Sequence, residues 1–314
     1  MHLPSRRLFI TTAASATAAS VMAAYAQDPE ATFRSDTRLV PLYATVVNSK
    51  GQLVTDLPRT AFRVLENNVE QPIKGFLRED VAVSLGLIVD NSGSMRDRRA
   101  KVEAAAIAMV KASNPRDQVF IVNFNDEAFE DVPFTSDVKK MEEGLARIDS
   151  RGGTAFYDAI NLSLDNVAKG KHDKRVLMLL TDGNDNASST TLEKLLAKTG
   201  RSNVVIHVIG LLSKEEPREA RKAQRSLKAI SESTGGLCFF PNELEEVEKL
   251  ALQVAHDIRN QYVITYSPLN AALDGSYRTI KVTAKGPNSP VVRTRSGYYA
   301  TPNQREPKKL SQVC

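Results

Sequence analysis

Regular patterning begins near residue 37. From 37 to 80, short runs alternate apolar and polar positions and are separated by turn residues. Segments 39–47, 62–65 and 72–76 read as strands, with turns at Asn48-Ser49-Lys50-Gly51 and Glu66-Asn67-Asn68. The pattern changes at Val81. Segment 83–89 is an apolar run of the kind found in parallel strands buried on both faces. From there strand-like runs alternate with helix-period segments. The predicted order is helix 95–111, strand 118–124, antiparallel edge strand 128–134, helices 138–148 and 155–167, and strand 176–180. Helix 192–198, strand 204–209, helix 220–233 stopped by Gly235-Gly236, short strand 237–240 and amphipathic helix 244–258 complete it. After Arg259 the two-residue period returns in 261–266, 277–284 and 291–295.

Alternating strands and helices predict an α/β fold with a doubly wound, mostly parallel sheet, which binds ligands at the carboxyl ends of its strands. Neither flanking β stretch has enough strands to be stable alone. Together they are expected to form one small β-sandwich-like module. The expected layout is a signal peptide (1–26), a linker (27–36), the N-terminal part of the β module (37–80), the α/β domain (81–258), the C-terminal part of the β module (259–300) and a polar, disordered tail (301–314).

The leader assignment rests on Arg6-Arg7, a mild apolar stretch and Ala24-Tyr25-Ala26, which predict export to the periplasm or medium with cleavage after Ala26. The Ser5-Arg6-Arg7-Leu8-Phe9-Ile10 string resembles the twin-arginine export signal; the alternative is an ordinary secretory signal that happens to carry two arginines. No later apolar run approaches the roughly 20 residues of a membrane span. The formal charge of +5 falls to +3 without the leader's two arginines, too small a bias to point to nucleic acid. Of the two cysteines, Cys238 lies in an apolar run and reads as a buried thiol, while a pairing with Cys314 stays open.

The candidate chemistry is concentrated in three short stretches. Asp90-Asn91-Ser92-Gly93-Ser94 follows the apolar run 81–89 and places a carboxylate and two hydroxyls in one tight loop. Gly152-Gly153-Thr154 adds a hydroxyl, and Thr181-Asp182-Gly183 a second carboxylate after another strand. Such hard oxygen donors suit Mg²⁺ or Mn²⁺. The D-x-S-x-S string, with the two later pieces in order, resembles the metal-ion-dependent adhesion site of von Willebrand factor A domains. That resemblance covers residues 81–258. The layout as a whole resembles an Acidobacteria-type family of exported bacterial proteins with a central domain of this kind, through Phe62-Arg63-Val64-Leu65-Glu66, Gln261-Tyr262-Val263-Ile264-Thr265-Tyr266 and Gly297-Tyr298-Tyr299.

By that resemblance, Ser92, Ser94 and Thr154 offer hydroxyl oxygens to the metal, Asp90 and Asp182 act directly or through water, and an open position takes an Asp or Glu carboxylate from a partner protein. The competing reading makes these residues turn and helix-cap residues without metal. Asn184, Asp185 and Asn186 read as a solvated loop, with contact to metal-bound water as the alternative. Phe156 and Tyr157 divide between core and binding face. No G-x-S-x-G, H-E-x-x-H or phosphate-loop string occurs, His2, His172, His207 and His256 have no ligand spacing, and the basic run 218–228 reads as a solvated helix face. The expected function is therefore non-enzymatic: an exported, metal-dependent protein-binding module. The alternatives are a structural component of an envelope complex that uses the metal for stability alone, and an accessory subunit of a metal-assisted enzyme.

Overall fold

The apolar runs of the middle of the chain assemble into one six-stranded sheet. A computed structural model describes residues 38–78, 80–146, 150–212 and 216–302; the leader, the linker and Cys314 lie outside them. The sheet order is β10 (Cys238–Phe239), β9 (Val204–Gly210), β8 (Lys174–Thr181), β5 (Val83–Asp90), β6 (Gln118–Phe124), β7 (Ala128–Thr135). Every neighbour pair is parallel except β6 with β7, which is the antiparallel edge.

Every residue of β5 and β6 is buried, because helices cover both faces. Alternate positions go to opposite sides, as the strand period requires. Val83, Leu85, Leu87 and Val89 pack with α1 (Arg99–Lys111), α2 (Val138–Ala146) and α6 (Glu246–Arg259). Ile88 and Phe120 face α3 (Phe156–Val167), α4 (Leu192–Arg201) and α5 (Pro217–Thr234). The basic residues Arg218, Arg221, Lys222, Arg225 and Lys228 of α5 all lie exposed.

The two flanks build two four-stranded sheets, and each sheet takes strands from both. One runs β13 (Val291–Arg293), β1 (Val40–Val47), β11 (Tyr262–Tyr266), β4 (Ile73–Leu77); the other runs β14 (Gly297–Tyr299), β12 (Tyr277–Ala284), β2 (Phe62–Glu66), β3 (Val69–Gln71). Leu42 pairs with Ile264 and Val64 with Val282 in antiparallel register. One core joins the sheets, with Leu42, Val46, Phe62, Val64, Tyr262, Ile264 and Ile280. Buried Glu66 accepts the phenolic protons of Tyr266 (2.6 Å) and Tyr298 (2.8 Å) across it.

Three local expectations change. Helix α1 starts at Arg99, not near 95, because Gly93–Met95 forms a 3₁₀ turn whose Gly93 N–H is bound to the Gly152 carbonyl at 3.1 Å. A strand absent from the sequence reading, β3, forms a hairpin with β2 through Asn67 and Asn68, at φ 48° and 64°. Two left-handed residues are what a two-residue hairpin of the right twist needs, and Asn tolerates them. The final β stretch divides into β13 and β14. Helix α2 runs to Ala146; 147–149 lie outside the described residues.

The sandwich is joined to the α/β domain by ion pairs at the domain's entry and exit. Arg259 contacts Asp80 at 2.8 Å and Asp117 at 3.0 Å, and Asp117 also accepts the Val83 N–H at 2.8 Å. Arg293 binds Asp257 at 2.6 Å.

His207, in β9, is a sheet residue, fully buried, whose Nδ1 accepts the Leu237 N–H at 3.0 Å. Burial pushes its pKa down to about 4, against the pull of Asp257 and with help from Arg293 and Lys174. The folded value lies below the unfolded one, so the stabilisation is complete above the unfolded pKa of roughly 6.5 and is lost as the pH falls towards 4. The expected NMR result is a His207 ring signal that stays unprotonated from about pH 8 to about pH 5; a midpoint near the ordinary histidine value would contradict the burial argument.

Candidate metal centre

The site is built at the carboxyl edge of the parallel sheet. β5 and β8 are neighbours, with Val89 opposite Leu180, so the chain beyond them brings Asp90 to Thr181 and then Asp182. Asp90 accepts the Thr181 hydroxyl proton at 2.5 Å on one oxygen and the Ser92 N–H at 2.8 Å on the other. Ser92 Oγ lies 3.2 Å from Ser94 Oγ, and Ser94 Oγ donates to Asp182 Oδ1 at 2.9 Å. Four of the five residues singled out in the sequence thus form one connected run of contacts. Thr154, the fifth, lines the same hollow of about 410 Å³ as Ser94 and Asp182. Asp90 and Ser92 are each 1% exposed and join the hollow's lining through Ser94.

The Thr154 loop is fixed from two sides. Gly152 has φ +75°, and a Cβ there would fall 2.0 Å from Asp126 Oδ2, so the loop needs glycine both for its backbone and for the carboxylate beside it. The same Asp126 accepts the Gly153 N–H at 2.7 Å. On the other side, Asn186 Oδ1 accepts the Thr154 N–H at 2.8 Å, and the Thr154 carbonyl accepts the Asn186 N–H at 3.0 Å. Segment 184–186 is a loop, with Asn186 exposed, but its side chains are engaged by the protein and not only by solvent. Asp185 accepts the Tyr157 N–H and the Ser188 hydroxyl at 2.8 and 2.7 Å, and Asn184 donates to Glu219 at 2.9 Å. Phe156 is fully buried in the core, and the Tyr157 hydroxyl turns to Ser226 Oγ at 3.0 Å, so neither is spent on the hollow.

Charge dominates the energetics here. Burial, followed by the Asp182 charge, pushes the Asp90 pKa up to about 6 even though Thr181 and Ser92 hydrogen-bond the carboxylate. Burial also raises Asp182, opposed by Ser94 and Arg98. Arg98, which the sequence reading did not single out, donates to Asp182 Oδ2 at 2.7 Å and to the Leu211 carbonyl at 3.0 Å. Its contact spans 84 residues of sequence, and no local spacing signals it.

The donor set fits a small divalent cation. Neighbouring ligand oxygens of an octahedral Mg²⁺ site, with bonds of about 2.1 Å, lie roughly 3 Å apart. The Ser92–Ser94 and Ser94–Asp182 separations of 3.2 and 2.9 Å match that spacing. All candidate donors are oxygen, and the Asp182 charge raises Asp90 although Arg98 is paired with Asp182. Asn184 Oδ1, on the same hollow, is buried and has no hydrogen-bond partner among the described residues. Among the described residues no cluster of three or more His, Cys, Asp and Glu side chains offers another metal site.

A sequence description of the von Willebrand factor type A domain matches residues 85–184, the stretch from β5 to the loop after β8. An uncharacterized protein of Synechocystis sp., sll0103, is 26% identical over 187 residues, covering 55% of this chain and 44% of that one. The chain thus spans less than half the length of this curated relative. Among solved structures, a von Willebrand factor type A protein from Catenulispora acidiphila is similar with a TM-score of 0.50 at 12% identity, over 86% of this chain and 75% of that one. Proximal thread matrix protein 1 of the mussel byssus gives 0.50 at 15% identity, over 62% and 51%. The chain has the von Willebrand factor A fold, a central sheet of mostly parallel strands accompanied by antiparallel sheets.

The buried charge of Asp90 generates a prediction for the metal-free protein. A carboxyl whose folded pKa is raised to about 6 binds its proton more tightly folded than unfolded, so its contribution to stability falls as the pH rises from roughly 4 to 6. In chelator at about pH 7.5, Asp90→Asn should be more stable than wild type by about 1–3 kcal/mol, and the difference should vanish near pH 4. Urea denaturation at the two pH values checks this. A variant less stable than wild type at the higher pH would show that the carboxylate is not electrostatically strained.

Proposed function

We propose that this protein is an exported, non-enzymatic module that binds a partner protein through one Mg²⁺ or Mn²⁺. The observation that carries the reading is the gathering of oxygen donors from three separate loops around one hollow at the carboxyl edge of the sheet. Domains of this family typically serve in protein interaction or adhesion. Ser92, Ser94 and Thr154 are the residues that would hold the ion, and Asp90 and Asp182 would balance its charge. The ion would supply a Lewis-acidic position open to an Asp or Glu carboxylate. The chain's own part is to orient and desolvate: Thr181 and the Ser92 amide hold Asp90, Asn186 and Asp126 hold the Thr154 loop, and burial removes competing water from Asp90 and Ser92.

Export is supported by Arg6-Arg7 and Ala24-Tyr25-Ala26. Among the described residues no helix is long and apolar enough to cross a membrane.

Affinity capture from the envelope fraction, with Mg²⁺ and with chelator, tests the reading. Partners should be retained with Mg²⁺ and released by chelator. Mg²⁺ or Mn²⁺ should raise the melting temperature of wild type, since an ion bound to the folded state alone stabilises it. Asp90→Ala should lose both the rise and the capture while remaining folded. Capture that survives chelation, with a melting temperature that falls, would favour a metal kept for stability in an envelope complex. Turnover on a panel of substrates would favour the enzyme-subunit reading.

A further inference from the structure

The guanidinium of Arg98 occupies a place that the proposed mechanism does not use. Asp182 divides its two oxygens between Ser94 Oγ at 2.9 Å and Arg98 NH1 at 2.7 Å. The Arg98 side chain is 29% exposed against 1% for Asp182, so the ion pair sits mainly inside the protein. Its position is fixed from behind. The same nitrogen donates to the Leu211 carbonyl at 3.0 Å, and the Leu211 N–H is bound to the Thr181 carbonyl at 2.8 Å, which joins the loop after β9 to the strand that carries Asp182. Arg98 directly precedes α1 and also lines the hollow.

We infer that Arg98 is a built-in counter-cation that weakens metal binding at this site and leaves the loaded site with surplus positive charge for an anionic ligand. This rests on the metal-site reading above. The inner groups are Asp90, Asp182 and Arg98, with formal charges of −1, −1 and +1. A divalent ion brings their sum from −1 to +1; without Arg98 it would bring it from −2 to zero. A site that ends neutral has no electrostatic reason to recruit a carboxylate, whereas one that ends at +1 does. Glu216 and Glu219 also line the hollow, but both residues are exposed, where solvent and salt screen them, and Glu219 is engaged by Asn184 at 2.9 Å. Arg98 and Asp182, by contrast, interact in a low-dielectric setting where a unit charge a few ångströms away outweighs rim charges. The arrangement exchanges cation affinity for anion capture, and it is specific to carboxylate-bearing ligands over neutral ones.

The test compares wild type with Arg98→Gln, which keeps a hydrogen-bond donor without the charge, and Arg98→Lys, which keeps the charge. Calorimetric titration with Mn²⁺ is followed by titration of the Mn²⁺-loaded proteins with acetate, read by water-proton relaxation. The Gln variant should bind Mn²⁺ about tenfold or more tightly than wild type, and Mn²⁺ should raise its melting temperature further. Loaded, it should bind acetate at least severalfold more weakly, while the Lys variant should stay near wild type in both. Mn²⁺ binding by the Gln variant alone would also support the inference. Equal or weaker Mn²⁺ binding by a folded Gln variant, with wild type binding normally, would overturn the role of Arg98 and leave the metal reading standing. No binding by any of the three would overturn the metal reading and this inference together.

Discussion

Two carboxylates held close together away from water set the terms for everything around them. Asp90 ends β5 and Asp182 directly follows the end of the adjacent parallel strand β8, so the register of the two strands brings them together. Burial and mutual repulsion drive Asp90 up to about 6, a cost that hydrogen bonds from Thr181 and Ser92 reduce but do not remove. A buried charge of this kind persists only with compensation. Arg98 compensates Asp182 directly. Asp90 has hydroxyl and amide donors but no paired cation among the contacts described, and its neighbours Ser92 and Ser94 carry oxygens at the spacing of a small divalent ion's coordination shell. The proposed metal would supply the positive charge that Asp90 otherwise lacks.

The flanking sandwich makes sense in the same terms. Asp80, Asp117 and Val83 lie at the amino end of the sheet, and Arg259 ties them to the end of α6, so chain entry and exit are fixed at the edge opposite the hollow. Asp257, paired with Arg293 and accepting from Thr45, extends that attachment into the sandwich itself. The carboxyl edge, where all three loops meet, carries none of this load and stays open. Because each sandwich sheet draws strands from both flanks, neither flank builds the β module alone.

What the sequence discloses follows from where its residues are buried. Strand β6 is legible to the residue because all seven of its side chains are enclosed and all but two are apolar. Strand β12 is legible because exposed and buried positions alternate strictly from Tyr277 to Val282. By contrast β3 has two exposed residues in three and exists mainly by pairing with β2, so no hydrophobic pattern announces it. The start of α1 is lost because Gly93 is bound to the Gly152 carbonyl, a contact across nearly sixty residues. The site shows the same division. Its serines, threonine and aspartates stand in short strings and can be found by eye. Arg98, Thr181, Asp126 and Asn186, which orient them, act through contacts between distant segments, such as the loop residue Asn186, whose side-chain oxygen accepts the Thr154 N–H.

The central claim is that these oxygens share one divalent ion. The direct measurement is a crystal structure grown in Mn²⁺ with anomalous diffraction recorded above the manganese edge. The account predicts a single strong anomalous peak among Ser92 Oγ, Ser94 Oγ and Thr154 Oγ1, about 2.2 Å from the hydroxyls, with Asp90 and Asp182 adjacent directly or through water. A well-ordered site with no peak, or a peak only at surface carboxylates elsewhere, would contradict it.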